Sequence, residues 1–249
     1  MTKTIIITGA SSGIGKAATK AFLAQGDNVI ANARNADRLG QLADECKSSA
    51  LLTVAADISH IETTKKLVTQ AMNTFGRVDV LINNAGTFTP KPFLEETVAS
   101  LDSYYATTVK GTFFLTQAVI PIMQQQHDGV IINLGSMWVD NPIEATPSSA
   151  SQVAKGAMHT LTRHLAIEFA KDNIRVNTVA PAVIETPLYD TLMDKDSLRA
   201  LSALHPLRRT GQLEDIIPWL THLAGNGSRF VTGQTIFVDG GITAGSHSA

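Results

Sequence analysis

The feature that most constrains the fold is an alternation, along the whole chain, of short runs rich in β-branched residues with longer segments of helical period. Elements that alternate in this way bury their apolar sides in a parallel sheet covered by helices on both faces. The sequence therefore predicts a doubly wound, Rossmann-like α/β fold with a mostly parallel sheet of about seven strands. The predicted strands are Thr4–Thr8, Asn28–Ala33, Leu51–Ala55, Val80–Asn83, Val130–Leu134, Arg175–Val179 and Thr235–Val238. The predicted helices cover residues 14–25, 36–47, 60–75, 97–126, 148–171 and 212–224.

The chain is predicted to form a single domain over residues 1–249, because no linker, repeat or low-complexity tract divides it. One long irregular region, at about 181–210, contains Pro181, Pro187 and Pro206 and follows a predicted strand. Open α/β sheets bind ligands at the carboxyl ends of their strands, so this region is a candidate lid over a substrate. A helix pair without a gating role is the alternative.

Composition favours a small ligand. The formal net charge is -2, and the basic residues are scattered, so neither nucleic acid nor an anionic membrane is expected as the main partner. The single cysteine excludes an intrachain disulfide, and the histidines show no metal-ligand spacing, so no metal site is predicted. No apolar run approaches the roughly 20 residues of a membrane helix, and no signal sequence is evident, so a cytoplasmic location is expected. The tail, residues 241–249, either supports an interface or lacks fixed structure.

A glycine-rich turn, Thr8-Gly9-Ala10-Ser11-Ser12-Gly13-Ile14-Gly15, follows the first predicted strand and opens the first predicted helix. In this context Gly9 permits a tight turn, Gly13 allows a pyrophosphate to approach the backbone, and Gly15 allows close helix packing. The start of the helix then offers free N–H groups to the phosphates. The turn predicts a dinucleotide site, and a purely structural turn is the alternative.

The spacing of these glycines, with further motifs in order, resembles the short-chain dehydrogenase/reductase family. The motifs that carry this resemblance are residues Thr8 to Gly15, Asp57-Ile58, Asn83-Asn84-Ala85-Gly86, Ser136, Lys155, Pro181 to Thr186, Thr232-Gly233-Gln234 and Val238-Asp239-Gly240-Gly241. The resemblance spans nearly the whole chain. It implies a nicotinamide cofactor and hydride transfer between that cofactor and a small-molecule carbonyl or alcohol substrate. Members of the family are commonly homodimers or homotetramers, and such an assembly is expected here.

The resemblance also implies which residues hold the cofactor. Asp57 would bond the adenine amino group with Ile58 beside it, and Asn83, Ala85 and Gly86 would line the adenosine ribose. The alternatives are that Asp57 is only a turn or capping residue, and that Asn83-Asn84-Ala85-Gly86 is only a strand-ending turn. The remaining implied cofactor contacts are Ser11, Ser12 and Ile14 in the glycine turn, Lys155 at the nicotinamide ribose, and Pro181, Ile184 and Thr186 in a loop where Ala182 replaces the family's glycine.

The end of the second strand should decide between NAD and NADP. A carboxylate there would accept the ribose hydroxyls of NAD and repel the 2′-phosphate of NADP. This chain has Ala33 at that position and Arg34 next, and a guanidinium can bind a phosphate with two hydrogen bonds. We therefore predict that NADP(H) is favoured over NAD(H). Ser12 stands where many NADP-binding members have a basic residue, and a solvated Arg34 is the alternative.

The implied catalytic residues are incomplete. Ser136 and Lys155 match the family's serine and lysine, but Ser151 occupies the position of the proton-donor tyrosine and Thr108 that of the asparagine. A serine hydroxyl is shorter and far less acidic than a phenol, so it cannot replace tyrosine as an acid. Of the other tyrosines, Tyr189 in the lid region is a candidate substitute. Two functions stay open: an oxidoreductase with impaired proton transfer, and a non-catalytic dinucleotide-binding protein that acts as a sensor or structural component.

Overall fold

The strands assemble into one parallel sheet at the centre of the protein. A computed structural model describes residues 2–144 and 146–245, and of Thr191 and Lys195 only the backbone; residues 246–249 of the tail lie outside the described part. The sheet has seven strands in the order β3-β2-β1-β4-β5-β6-β7, every neighbouring pair parallel. The strands are β1 Thr4–Thr8, β2 Asn28–Ala33, β3 Leu51–Ala55, β4 Val80–Asn83, β5 Gly129–Leu134, β6 Ile174–Pro181 and β7 Thr235–Val238.

Helices cover both faces of this sheet, as the predicted doubly wound fold requires. They are α1 Gly13–Ala24, α2 Ala36–Cys46, α3 Ile61–Phe75, α4 Val98–Tyr104, α5 Gly111–Gln126, α6 Ser149–Glu168, α7 Lys195–Ala200 and α8 Leu213–Ala224. Local chemistry sets their ends: the Asn35 side chain accepts a hydrogen bond from the Arg38 N–H at the start of α2, and Gly76, with φ of +73°, ends α3.

Alternate residues of the strands contribute their side chains to two separate apolar cores. Ile5 and Ile7 of β1 pack with α1, α2 and α8 on one face, whereas Ile6 packs with α3, α5 and α6 on the other. All three isoleucines are fully buried. A strand covered on both faces is apolar at successive positions, which explains the continuous β-branched runs in the sequence.

The predicted helix over residues 97–126 is not α-helical along its whole length. It consists of α4, a π-helical turn at Tyr105–Lys110, and α5. A π turn widens the helix by one residue and changes which side chains face a neighbouring element. This change falls at Thr107 and Thr108, beside the candidate site.

The sheet order places a binding crevice between β1 and β4. The chain adds β2 and β3 on one side of β1 and then returns to add β4 on the other side. Ligands of open α/β sheets bind outside the carboxyl ends of the strands at such a reversal. The glycine turn after β1 and residues 84–86 after β4 meet at this point.

Candidate active site

The glycine turn forms the floor of the site. Gly9 and Gly13 have φ angles of +65° and +51°, which glycine adopts without strain. A Cβ atom on Gly15 would lie 2.4 Å from the carbonyl oxygen of Gly9, so only glycine lets α1 start this close to β1. Ser12 precedes α1, and its hydroxyl makes no capping hydrogen bond within the described chain. The start of α1 is therefore open to an anion, which the helix dipole would also favour.

Thr8 and Asn84 tie the two sides of the crevice together, and the sequence analysis assigned neither a role. The Thr8 hydroxyl oxygen accepts hydrogen bonds from the backbone N–H groups of Asn84 and Ala85, each at 3.0 Å. The Asn84 amide nitrogen donates in return to the carbonyl oxygens of Thr8 and Gly9, at 2.8 and 3.1 Å. This reciprocal pairing holds the glycine turn against the end of β4.

A cavity of about 530 Å³ opens above this floor and contains most of the predicted site. Its volume falls in the range of about 300–1,000 Å³ that is usual for small-molecule sites. The predicted residues that line it are Gly9, Ser11, Ser12, Gly13, Ile14, Arg34, Asp57, Ile58, Ala85, Gly86, Ser136, Ser151, Lys155, Pro181, Ile184 and Thr186. The fold thus brings residues from distant parts of the chain into one space.

Three predicted residues are not among those that line the cavity: Gly15, Asn83 and Thr108. Gly15 is buried behind the turn, where its role is the close packing described above. Thr108 is buried in the π turn, with its hydroxyl 3.8 Å from where a Cβ atom on Gly86 would be, and Thr107 lines the cavity instead.

Asn83 is not among the residues that line the cavity, and its predicted place at the ribose stays a prediction. Its amide nitrogen donates to Oδ1 of Asn133 at 2.9 Å and to the hydroxyl of Thr116 at 3.1 Å. Successive residues of a strand point to opposite faces, so Asn83 shares the face of Leu81, toward α5. Its side chain belongs to a buried polar network under the site.

Two arginines flank the end of β2. Ala33 and Arg34 both line the cavity, and Nη1 of Arg34 lies 3.9 Å from Oδ2 of Asp57. Arg38, on the first turn of α2, lines the same part of the cavity. Arg38 was not predicted as a site residue; the feature that points to it in the sequence is a basic residue in the first turn of the helix after β2. The end of β2 thus presents the small Ala33 and two guanidinium groups to the cavity, with the Asp57 carboxylate close to Arg34.

Asp57 has the turn role that was considered as an alternative. Its Oδ1 accepts a hydrogen bond from the N–H of Ser59 at 2.9 Å, and the other carboxylate oxygen is the one that approaches Arg34. Burial acts to raise the pKa of Asp57, but the Ser59 hydrogen bonds and the Arg34 charge outweigh it, so the pKa lies below its ordinary value. Asp57 is therefore a carboxylate at neutral pH.

Ser136, Ser151 and Lys155 line the end of the cavity that is formed by β5 and α6. The Ser136 hydroxyl oxygen accepts a hydrogen bond from the N–H of Trp138 at 3.2 Å. The Ser151 hydroxyl donates to the carbonyl oxygen of Ser148 at 3.0 Å and accepts from the Gln152 amide at 3.2 Å. The small Ser151 side chain is thus held within its own helix turn and does not extend toward the cavity centre as a phenol would.

Lys155 is the cation at this end. Its ammonium group donates to the carbonyl oxygen of Leu134, and a Cβ atom on Gly86 would lie 3.5 Å from its Nζ. Desolvation by burial lowers the pKa of Lys155 to about 8. At pH 7 Lys155 is still mostly protonated, so it can donate to a ribose hydroxyl.

The three tyrosines lie in different surroundings. Tyr189 lines the cavity, but burial raises its pKa to about 12. The Tyr104 hydroxyl is engaged with Thr89, accepting its N–H at 3.0 Å, and Tyr105 is 55% exposed. The structure therefore weighs against Tyr189 as a substitute acid.

The loop from Pro181 to Thr186 forms one wall of the cavity. Ala182, where the family has glycine, has no positive φ angle, so its side chain causes no backbone strain. The N–H of Glu185 donates to the carbonyl oxygen of Gly211 at 2.9 Å, and the N–H of Gly211 donates to that of Val183 at 2.8 Å. The loop is therefore anchored to the segment that follows the candidate lid.

Neither a metal site nor a membrane helix is found in the described part of the chain. Among residues 2–144 and 146–245, no group of three or more histidine, cysteine, aspartate or glutamate side chains could hold a metal ion. No helix in the same part is long and apolar enough to cross a membrane.

The fold and this cavity together define a Rossmann-like protein of the nucleotide-binding type. A family model described as enoyl-(acyl carrier protein) reductase, one of the short-chain dehydrogenase/reductases, matches residues 9–243. The 3-oxoacyl-[acyl-carrier-protein] reductase FabG of Thermotoga maritima is 35% identical over 243 residues, which cover 96% of this chain and 97% of that one. The chain therefore belongs to the short-chain dehydrogenase/reductase family.

Solved structures agree with this assignment. ElxO with NADP bound has a TM-score of 0.92 and 27% identity, covering 98% of this chain and 100% of the other. A tyrosine-to-phenylalanine variant of ElxO with NADPH bound has a TM-score of 0.90, the same identity and the same coverage.

Proposed function

We propose that this protein is an NADP(H)-preferring oxidoreductase of small carbonyl or alcohol substrates whose proton transfer is impaired by Ser151. The observation that carries the proposal is that Ser136, Ser151 and Lys155 share one cavity with the glycine turn. When bound, the cofactor would supply or accept the hydride, and the protein contributes binding, orientation and electrostatics. The relative FabG is named as a 3-oxoacyl reductase, which favours carbonyl reduction as the direction here.

The residues present fit a dinucleotide. Gly9 and Gly13 have positive φ angles, and the uncapped start of α1 suits a pyrophosphate. Lys155 lies close to Gly86, where its ammonium group can donate to ribose hydroxyls. ElxO with a tyrosine replaced by phenylalanine holds NADPH, which supports dinucleotide binding in the absence of a tyrosine hydroxyl.

Preference for NADP(H) rests on the arginine pair. Arg34 and Arg38 both line the cavity, and the end of β2 itself carries Ala33 in place of a carboxylate that would repel a 2′-phosphate. Each guanidinium can form charge-assisted hydrogen bonds to phosphate oxygens. Arg34 is 64% exposed, so solvent screening limits its contribution.

In carbonyl reduction the protein must bind the carbonyl oxygen and deliver a proton to it. The Ser136 hydroxyl proton is free to point at that oxygen because its oxygen accepts from Trp138. Ser151 offers no group of suitable acidity, so the proton must come from solvent or indirectly from Lys155. Loss of a general acid costs about 10²–10⁴-fold, which predicts slow turnover rather than none.

Binding and turnover measurements test this proposal. Calorimetry should show NADPH binding at least about tenfold tighter than NADH, a difference of about 1.4 kcal/mol. A panel of ketones and aldehydes should show slow, enzyme-dependent NADPH oxidation. Equal affinities would refute the cofactor preference, and they would leave the rest of the proposal standing.

The second candidate function is a non-catalytic dinucleotide-binding protein. It is favoured by one observation: no tyrosine in the described chain combines a place in the cavity with a lowered pKa. This function predicts that NADPH raises the melting temperature through binding to the folded state. It also predicts that no member of the panel is turned over, even after a tyrosine is restored at position 151.

We also propose that residues 181–210 act as a lid. Tyr189 and Val183 pack with Met137 and Trp138 in an apolar cluster beside the cavity. Leu192, Met193 and Leu198 are partly buried against the same cluster, as the helix-pair alternative also predicts. Amide hydrogen exchange in this region should slow when NADP⁺ and a substrate bind, and unchanged exchange would favour the alternative.

A homo-oligomer in the cytoplasm completes the proposal. Phe93, Leu94 and Val98 are 74%, 94% and 78% exposed, on and just before α4. Several large apolar side chains exposed in one region often mark an interface. Light scattering should give the mass of a dimer or tetramer, and Leu94→Glu should shift it toward the monomer.

A further inference from the structure

His159 is a buried titratable residue that the proposed chemistry does not use. It lies on α6, one helical turn after Lys155, and is 3% exposed. Its ring is packed against the end of β5, directly behind Gly135 and Ser136. A buried histidine at this place needs partners for both ring nitrogens.

Both nitrogens have partners. The backbone N–H of Ser136 donates to Nε2 at 3.4 Å, and Nδ1 lies 3.3 Å from Oδ2 of Asp140. Because Nε2 accepts, the proton of the neutral ring resides on Nδ1 and is donated to the Asp140 carboxylate. The contacts thus define one tautomer.

The ring also restricts the turn by contact. A Cβ atom on Gly135 would lie 2.3 Å from Nε2 of His159 and 2.6 Å from Cγ2 of Thr178. The Gly135 N–H donates to the carbonyl oxygen of Val179 at 2.8 Å. The backbone on the N-terminal side of Ser136 is therefore held between the ring and β6.

The other side of Ser136 is held by its own hydroxyl, which caps the short 3-10 turn that contains Trp138. With its N–H and its side-chain oxygen both engaged, Ser136 has little freedom to reorient. Removal of the His159 acceptor would leave a buried N–H unpaired and free the turn to shift.

Burial is the main reason that the His159 ring is neutral near pH 7. Burial lowers the pKa of His159; Asp140 acts to raise it, whereas Lys155 and Arg163 on the same helix act to lower it. Protonation would replace the Nε2 acceptor with a donor that faces the Ser136 N–H. The contact would then be lost as the pH falls through the lowered pKa.

We propose that His159, oriented by Asp140, is a positioning residue that fixes the Gly135–Ser136 turn and aims the Ser136 hydroxyl at the substrate oxygen. This inference deepens the proposed function and rests on it for the role of Ser136. His159 does not touch the substrate in this proposal and acts only through Ser136.

Histidine NMR tests the geometry without any turnover. In the wild-type protein with nitrogen-15 histidine, the signal absent from His159→Gln is assigned to His159, and its Nε2 should be unprotonated at pH 7. In uniformly nitrogen-15-labelled protein, the Ser136 amide resonance should titrate with the same midpoint as the ring, below the ordinary pKa of histidine. Asp140→Asn should lower that midpoint, because it removes the charge but keeps an acceptor.

Kinetics test the consequence. His159→Phe should lower kcat about 10- to 100-fold, as expected for misplacement of a reacting group, while the Kd of NADPH stays unchanged. His159→Gln, whose amide oxygen can accept the Ser136 N–H, should restore most of the rate and remove the acid limb of the pH profile.

The outcomes separate the two proposals. A protonated Nε2 at pH 7, a Ser136 amide that ignores the ring titration, or wild-type kcat in both His159 variants would overturn the positioning role. Absence of all turnover in the wild-type protein would count against the proposed function, and the NMR result would then decide the His159 geometry by itself.

Discussion

Restoring a tyrosine at position 151 is the perturbation that best separates binding from catalysis. Ser151 lines the cavity and lies on the same helix face as Lys155, four residues later. A tyrosine there would extend into the cavity, and the Lys155 ammonium would lower its pKa from about 10. Ser151→Tyr would thus bring a general acid beside Ser136.

The expected gain follows from general acid catalysis. A positioned acid contributes about 10²–10⁴-fold, which at 1.36 kcal/mol per tenfold is about 3–5 kcal/mol of barrier. Lys155 has a pKa of about 8, so it is charged at pH 7 and can act on the phenol. The rate of carbonyl reduction by the variant should fall at high pH, as the phenol loses its proton.

The assay is NADPH oxidation followed at saturating cofactor with the best substrate of the panel. Ser151→Phe is the matched control, because it adds the same ring without the hydroxyl. The reasoning is refuted if the Tyr and Phe variants have equal kcat while both bind NADPH like the wild-type protein. That result would mean that Thr108 or the substrate pocket also prevents turnover.

Three further predictions concern the cofactor site and stability. Arg34→Ala and Arg38→Ala should each weaken NADPH binding about tenfold in calorimetry and leave NADH unchanged, since each removes a charge-assisted phosphate contact; equal loss for both dinucleotides would contradict this. Gly15→Ala should abolish NADPH binding and lower the free energy of unfolding by about 1–3 kcal/mol, because its Cβ atom would collide with the backbone. Gly40→Ala is the control: Gly40 lies in open space within α2, so this substitution should be neutral or stabilising. Lys155→Met should raise the melting temperature at pH 7, because burial lowers the pKa of Lys155 to about 8 and its charge therefore destabilises the fold. The difference in melting temperature between Lys155→Met and the wild-type protein should shrink between pH 8 and 10.5, because folded wild-type protein loses this proton before the unfolded chain does. A difference that does not depend on pH would contradict this explanation.

The fold was largely predictable because the pattern that specifies it is local. Each strand of the sheet is a β-branched run, and those runs are apolar at successive positions since both faces are buried. The observed strands differ from the predicted ones mainly at their ends, as at Gly129 and Pro181, where pairing with a neighbour extends them. The π turn at Tyr105–Lys110 was not predicted, because its residues have ordinary helical character.

The candidate site was predictable where a residue's role depends on its own backbone. Gly9 and Gly13 are examples, since their φ angles are positive. The side-chain partners of Asn83 could not be predicted, because they lie on β5 and α5, where Asn133 and Thr116 accept from its amide. Arg38 was missed because only the packing of α2 brings it to the cavity.

The amino-acid sequence alone determined the parallel α/β architecture, the glycine turn, and the presence of Ser151 four residues before Lys155, since these depend on local pattern and on side-chain identity. Only the tertiary structure decided that Tyr189 has a raised pKa, that Arg34 and Arg38 flank one end of the cavity, and that His159 and Asp140 stand behind Ser136. The physical reason is that desolvation, charge proximity and hydrogen-bond partners are properties of residues far apart in the chain, and they exist only once the sheet and helices have packed.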